Sequence, residues 1–370
     1  MTVQTLTTDV LIVGGGPAGT SAALSLLNYS DATVMIVEQS DYNNTRVGEH
    51  ISSSLFDILK YLKINKDDFE PGSFIPSYGN TAYWGSNQPT STESIFTVET
   101  STFQLDRDKF DFKLVEQVAE RGGIVFPRTK CLNYLFLENN EWEITLKHPE
   151  KGEFTVLAKY LIDATGRQAS VCRQIGAPST KIDSLMGVGA FFKIKEGHKL
   201  NQNQVLETNE FGWWYNAVLP DKTIVTTLFS DADIISEYKL NQNDTWYDLL
   251  QSTNLIKHKL KDTLSLSKKV WVRNACTQIS DSSFHNNFIA IGDAASSFDP
   301  ISSMGIGFAM SSACNAARII KHQLLEKDPK RVVSYQKDVS NNFDNYLRIR
   351  KQFYQQEKRW SSSIFWKRRN

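Results

Sequence analysis

The hexapeptide Gly14-Gly15-Gly16-Pro17-Ala18-Gly19, placed directly after the apolar run Val10 to Val13, constrains this chain more than any other stretch. A continuous apolar run suits a parallel strand covered on both faces, and the residues after the turn suit a helix from Ala18 to Leu27. In such a strand-turn-helix unit Gly14 permits the tight turn, Gly16 lets the backbone approach a pyrophosphate, and Gly19 lets the helix pack closely on the strand. Pro17 and Ala18 open the helix, whose positive end points at the phosphates. The next apolar run, Thr33 to Val37, ends at Glu38 and Gln39, about 20 residues beyond the glycines, where a carboxylate accepts the hydrogen bonds of an unphosphorylated ribose diol. A bare strand-to-helix turn is the alternative, but it does not explain two strands, a helix and a terminal acid in that order. The unit predicts a dinucleotide site without choosing the dinucleotide.

A second signal makes the choice. Asn287-Phe-Ile-Ala-Ile-Gly292-Asp293-Ala-Ala reads as another buried strand and turn, and Asp299-Pro300-Ile-Ser-Ser-Met-Gly305-Ile306-Gly307 opens a long helix. These segments resemble the FAD-dependent monooxygenases of the p-hydroxybenzoate hydroxylase type and their relatives, the tryptophan halogenases and geranylgeranyl reductases. The resemblance implies non-covalently bound FAD, with Asp293 on the ribityl chain and Gly305 and Gly307 bringing the helix end to the isoalloxazine. Physical chemistry agrees, because amides at a helix N-terminus stabilise negative charge on a reduced flavin. Two further segments fit the pattern. Tyr160-Leu-Ile-Asp163-Ala-Thr-Gly166-Arg167 is similar to a family strand that passes the dinucleotide, with a strand-end turn as the other reading of Asp163. Phe103-Gln-Leu-Asp106-Arg107 is similar to a segment whose arginine lies near the cofactor; a solvated first-turn pairing with a neighbouring acid is the other reading of Arg107.

These signals lie at both ends and in the middle of the chain, so the expected fold is α/β. It has a discontinuous Rossmann-like FAD-binding domain of the glutathione reductase type (residues 1–75, 101–180 and 285–328). An inserted antiparallel β-sheet substrate domain (76–100 and 181–284) and C-terminal helices (329–370) complete it. Alternating runs such as Gly189-Ala-Phe-Phe-Lys-Ile and Thr223-Ile-Val-Thr-Thr-Leu-Phe suggest the inserted sheet, one face toward a ligand. The pentapeptide Lys-Leu-Asn-Gln-Asn at 199 and 239 reads as coincidence in two polar loops. The tail from Trp360 to Arg369, aromatic and basic, reads as a partly solvated helix cap, with a partner-docking element as the alternative.

With 41 basic and 41 acidic residues in 370, the chain has no net field to attract nucleic acid. Charged or amide residues interrupt every apolar stretch before the roughly 18 residues a membrane span needs, and the first apolar run lacks a basic leader and cleavage pattern. A cytoplasmic protein without membrane attachment is expected. Cys131, Cys172, Cys276 and Cys314 are far apart, form no metal-ligand cluster with the six histidines, and read as buried free thiols.

No second glycine fingerprint follows the first, so reductant must reach the flavin from outside. Val47-Gly48-Glu49-His50 stands where the halogenases and geranylgeranyl reductases carry a Gly-Glu-Ser-like signature, with His50 in place of the serine. Glu49 and His50 are candidate proton-transfer groups, or simply a helix-entry loop. The halogenases depend on a lysine in the strand after that loop; here no lysine occurs between Asp67 and Asp108. Phe211-Gly-Trp213-Trp214-Tyr215 resembles an aromatic segment lining the substrate side of the flavin, so Trp213, Trp214 and Tyr215 are candidates to sandwich an aromatic or apolar ring. Neighbouring strand residues face opposite ways, which leaves alternate packing open for at least one tryptophan.

Gly-Glu-His, Tyr-Trp-Gly, Gly-Trp-Trp-Tyr and a short basic C-terminus together resemble the LodB-type maturation flavoproteins of quinone-cofactor amino-acid oxidases. That resemblance implies an FAD-dependent monooxygenase using NADH or NADPH as reductant and O2 as co-substrate. Its substrate would be a tryptophan side chain of a quinoprotein oxidase precursor, on the way to cysteine tryptophylquinone. A geranylgeranyl-type reductase of an apolar alkene and a non-catalytic, FAD-bearing assembly factor are the other readings.

Overall fold

A computed structural model describes residues 5–43, 46–77, 79–93, 102–195, 202–326 and 330–370. Lys199, Leu200 and Asn201 of the first pentapeptide copy and all of residues 94–101 lie outside the described residues.

The first apolar run forms the inner strand Thr5–Val13, with Val10, Leu11 and Ile12 fully buried. It pairs in parallel with Val34–Val37 on one side and with Gly152–Asp163 on the other, Val13 standing opposite both Val37 and Asp163. Ile124–Phe126 extends the sheet beyond Val34–Val37. The twelve-residue strand Gly152–Asp163 is long enough to use its far edge twice. Its first half pairs antiparallel with Trp142–His148, and its last three residues pair in parallel with Phe288–Ala290. The two halves of the nucleotide-site sequence, nearly 300 residues apart at their extremes, thus meet in one sheet whose strands end at the same edge. Helix Pro17–Tyr29 has proline at its first position, where the missing N–H costs nothing, and buries Ala18 to Leu26 against the sheet and the long helix Gly305–Glu326.

The second large sheet runs in the order Thr263–Ser265, Leu185–Ile194, Thr223–Asp231, Gly212–Val218, Gln204–Asn209, Gly79–Tyr83, Thr90–Glu93, with Trp271–Asn274 also paired to Leu185–Ile194. Helix Asn243–Gln251 covers one face, its Trp246 donating to the carbonyl of Val188 at 3.0 Å. His50–Ser52, Thr102–Leu105 and Phe74–Ser77 form a separate small antiparallel sheet.

The C-terminal segment departs from the reading of a partly solvated cap. After helix Lys330–Tyr354 the chain lays Phe365 and Trp366, both fully buried, into the core under the second sheet. Trp366 donates to the carbonyl of Asn209 at 2.7 Å, and Arg369 forms a buried ion pair with Asp231 at 2.6 Å. No helix among the described residues is long and apolar enough to cross a membrane.

Candidate functional site

A cleft of ≈ 460 Å³ opens at the ends of the parallel strands. Gly14, Gly16, Glu38, Gln39 and Gly166 all line it. Gly14 has φ +111°, and a Cβ there would stand 2.3 Å from the carbonyl oxygen of Ala164, so only glycine fits between the strands. Gly16 differs: its φ is −80° and a Cβ would meet nothing within 4 Å. The need for glycine there lies in the empty space in front, where a phosphate would approach. Glu38 accepts from the amides of Gly15 at 2.7 Å and Ser40 at 2.8 Å, which fixes the carboxylate at the rim with lone pairs left for a ribose diol. Pro17 and Ala18 begin the helix behind this cleft, and Gly19 lies against the Gly14 carbonyl. The cleft also takes in Arg46, Thr129, Lys130, Cys131, Tyr134 and Gln174, which no motif marked because they come from loops and strands outside the fingerprint. Burial pushes the Cys131 thiol up to about 12, so it is a neutral wall and not a nucleophile.

At the other end of the site, Gly292 takes φ +56° and packs against Ala18, which brings Asp293 to the first motif. One Asp293 oxygen lies 3.3 Å from Arg167, while Oδ1 is buried with no hydrogen-bond partner. Burial raises its pKa, opposed by Arg167 and Arg107. Pro300 begins a single 3-10 turn capped by Asp299, and Gly305, Ile306 and Gly307 form the first turn of the next helix. A Cβ on Gly305 or Gly307 would meet nothing within 4 Å, so open space stands beside this helix end, whose first amides have no intrahelical partner.

Between these ends runs the loop from Arg46 to Glu49. Arg46 and Arg107 both donate to Oδ2 of buried Asp111, at 2.6 and 2.8 Å, Arg107 Nε takes Oδ1 at 3.1 Å, and Arg107 also donates to the carbonyls of Val47 at 2.7 Å and Gly48 at 3.1 Å. Arg107 is therefore neither solvated nor simply paired in its own helix; it clamps the loop that presents Glu49 and His50. Glu49 is buried, its pKa raised by desolvation and opposed by Arg107, and its Oε1 has no hydrogen-bond partner. His50 bonds Ser303 through Nδ1 at 3.0 Å, two residues before the Gly305 helix, and burial lowers its pKa to about 4. It also lines a second cavity of ≈ 370 Å³ with Met304, Gly307 and Phe308.

Three expected site residues stand elsewhere. Asp163 is fully buried and spends both carboxylate oxygens on the protein, accepting from Thr165 N–H and hydroxyl at 2.9 and 2.6 Å and from Cys172 N–H at 2.8 Å. It shapes the turn that presents Gly166, and is not a cofactor ligand. Trp213 and Trp214 are both core residues. Trp213 stacks on Phe229 with ring centroids 4.3 Å apart and donates its indole N–H to Tyr354 at 2.9 Å; Trp214, on the other sheet face, packs edge-on to Trp246 at 5.1 Å. The residue of this segment that reaches the site is Tyr215, whose hydroxyl interacts electrostatically with Glu49.

The FAD binding domain family matches residues 7–348. The chain belongs to that family. It is 40% identical over 362 residues to LodB of Marinomonas mediterranea, named as an FAD-dependent oxidoreductase, covering 98% of this chain and 96% of that one. Among solved structures, the myxobacterial chondrochloren halogenase CndH superposes with TM-score 0.86 at 19% identity, over 99% of this chain and 86% of that one. The peptidyl tryptophan dihydroxylase QhpG, essential for tryptophylquinone cofactor biogenesis, superposes with TM-score 0.78 at 22% identity, over 98% and 78%. These likenesses are of fold. The protein is an FAD-dependent oxidoreductase with the α/β fold of the halogenases and p-hydroxybenzoate hydroxylase-type enzymes. Its residues fit FAD: open space stands before Gly16, Gly305 and Gly307, a carboxylate waits at the ribose end, and an orphaned Asp293 oxygen lies between them. Bound FAD supplies the redox chemistry; the chain holds, orients and shields it.

Proposed function

We propose that the protein is a monooxygenase that uses NADH or NADPH as reductant and O2 as co-substrate to oxygenate a tryptophan side chain of a quinoprotein amino-acid oxidase precursor. The observation that carries this reading is the unbroken run of electrostatic neighbours from Tyr215 to Glu49, from Glu49 to Arg107 and from Arg107 to Asp293, which links the aromatic segment to the flavin end of the cofactor site. An electron-rich ring held beside Glu49 is close to the flavin and shielded from water, which an oxygenase requires. Glu49 and His50 are the proton-transfer groups: Glu49 is poised by its raised pKa, and neutral His50 faces a cavity that connects to the Gly305 helix end. The likeness to QhpG, a peptidyl tryptophan dihydroxylase, supports the same substrate class.

The absence of any lysine between Asp67 and Asp108 weighs against halogenation, since that is where the resemblance would place the halogenase lysine. The buried C-terminal tail weighs against an assembly factor that docks through Trp366 or Arg369. Coexpression with an oxidase precursor, followed by mass analysis of its tryptophan-containing peptides, tests the proposal. Gain of oxygen that depends on this protein and on its FAD supports it. Maturation that survives loss of FAD points to assembly, and a reduced alkene product without added oxygen points to a reductase.

A further inference from the structure

Arg167 lies in the 3-10 turn Gly166–Gln168 that follows the strand Gly152–Asp163. Its guanidinium reaches three other segments at once. Nη1 donates to the carbonyl of Cys276 at 2.8 Å, Nη2 donates to the carbonyl of Phe298 at 2.7 Å, and Nε lies 3.3 Å from Oδ2 of Asp293. The Arg167 carbonyl accepts from Gln278 Nε2 at 2.8 Å, so the residue is held by its own backbone as well. A planar fork engaged along all its edges is a rigid mount that the point charge of a lysine does not reproduce.

Asp293 is positioned from two sides. The amide of Gly292, at φ +56°, donates to the Ser312 hydroxyl at 3.0 Å, which fixes the chain just before Asp293. Arg167 then stands against Oδ2, and Oδ1 is left buried with no hydrogen-bond partner. The two carbonyl contacts alone would tie these segments together. They do not account for a cation beside a carboxylate whose other oxygen is buried and idle, an arrangement that is costly unless something pairs with that oxygen. Burial favours the neutral acid at Asp293, and Arg167 and Arg107 are the cations that oppose it. Arg107 is already committed to Asp111, with Nε on one oxygen and Nη2 on the other. We propose that Arg167 is a positioning residue for FAD, holding Asp293 charged and turned so that Oδ1 accepts hydrogen bonds from the ribityl chain. This role goes beyond the proposed oxygenation and holds whichever substrate the flavin serves.

The test titrates the full-length apoprotein with FAD, following flavin fluorescence, from about pH 5 to about pH 9. Arg167→Gln keeps a neutral amide donor for the carbonyls and removes the charge; Arg167→Lys keeps the charge and loses the fork. An opposite charge at ion-pair distance moves the titration of a carboxyl by about 1–3 pH units. The pH below which FAD affinity weakens is therefore expected to rise by about that much in Arg167→Gln, and to return toward the wild-type value in Arg167→Lys. Adding Asp293→Asn to Arg167→Gln is expected to abolish the pH dependence. Loss of affinity by the same factor at every pH in both variants overturns the proposal and leaves Arg167 a tie between loops. Persistence of the shifted profile in the double variant also overturns it, because the titrating group is then another, such as Glu49 or His50. If circular dichroism shows that neither Arg167 variant folds, wild type against Asp293→Asn decides. Wild type is expected to lose FAD affinity toward pH 5 while Asp293→Asn does not, and equal profiles overturn the proposal.

Discussion

The hydroxyl of Tyr354 donates to the carboxylate of Asp299 at 2.8 Å while accepting the indole N–H of Trp213 at 2.9 Å. One oxygen therefore ties the C-terminal helix both to the second sheet and to the turn that delivers the Gly305 helix. Arg350, one turn earlier, holds the same Asp299 at 3.1 Å and Asp183 at 2.6 Å, and the Tyr346 hydroxyl accepts from Asp299 N–H at 2.7 Å.

Tyr354→Phe removes the shared oxygen and strands two buried partners. Each orphaned group costs about 1–3 kcal/mol, so thermal unfolding of the variant is expected several degrees lower. FAD is also expected to bind more weakly, because the Asp299 turn sets the helix end. Unchanged melting and unchanged flavin affinity in the variant would show that the link has no such role.

Gly14 and Gly16 of the fingerprint should fail differently. Gly14→Ala meets the Ala164 carbonyl at 2.3 Å and forces a side chain into φ +111°, so it is expected to destabilise even the apoprotein, by about 2 kcal/mol or more. Gly16→Val enters open space at an ordinary φ, so the apoprotein should keep its circular dichroism and melting while losing the flavin absorbance. Similar loss of fold in both would contradict the division of roles.

The sequence made the nucleotide half of the site legible because its constraints are local: a turn that only glycine makes, a strand-end acid, and a helix that begins just past them. Gln104 was harder to see, because its place opposite His50 and beside Tyr215 depends on how strands of separate sheets meet. Trp213 and Trp214 illustrate the limit. Their neighbour Tyr215 reaches the site, but alternation gives Trp214 to the opposite face, and a partner 141 residues away claims the indole of Trp213. Asp163 misleads for a related reason: an acid at a parallel strand end can serve a ligand or its own turn, and only the positions of Thr165 and Cys172 decide.

His50 predicts a pH dependence with a definite sign. Its folded pKa of about 4 lies below the ordinary 6.5, so the unfolded chain takes up a proton first as pH falls. Its contribution is intact above about pH 6.5 and is lost progressively down to about pH 4. Glu49 and Asp293, whose pKa values burial raises, respond in the opposite direction, so the comparison must be between wild type and His50→Gln. Denaturant titrations of the two apoproteins should show wild type losing roughly 1–3 kcal/mol more than the variant across that window. Parallel pH profiles would mean that His50 titrates alike in the folded and unfolded chain.

The C-terminal tail gives the prediction that separates folding from docking most sharply. Phe365 and Trp366 are fully buried, and burial of such side chains contributes on the order of 2–3 kcal/mol each. Arg369 pairs with buried Asp231, and its guanidinium lies 3.7 Å from the centroid of the Phe365 ring. A chain ending at Trp360 would expose the underside of the second sheet and leave Asp231 with its carboxylate buried beside vacated space. It is expected to aggregate or to melt well below the full chain. Asp231→Ala, which keeps the tail but strands Arg369, should itself cost about 3–5 kcal/mol. If the shortened chain instead keeps its melting temperature and its flavin and loses only the ability to mature a partner, then the tail serves recognition, and its burial in the chain is not what holds the fold.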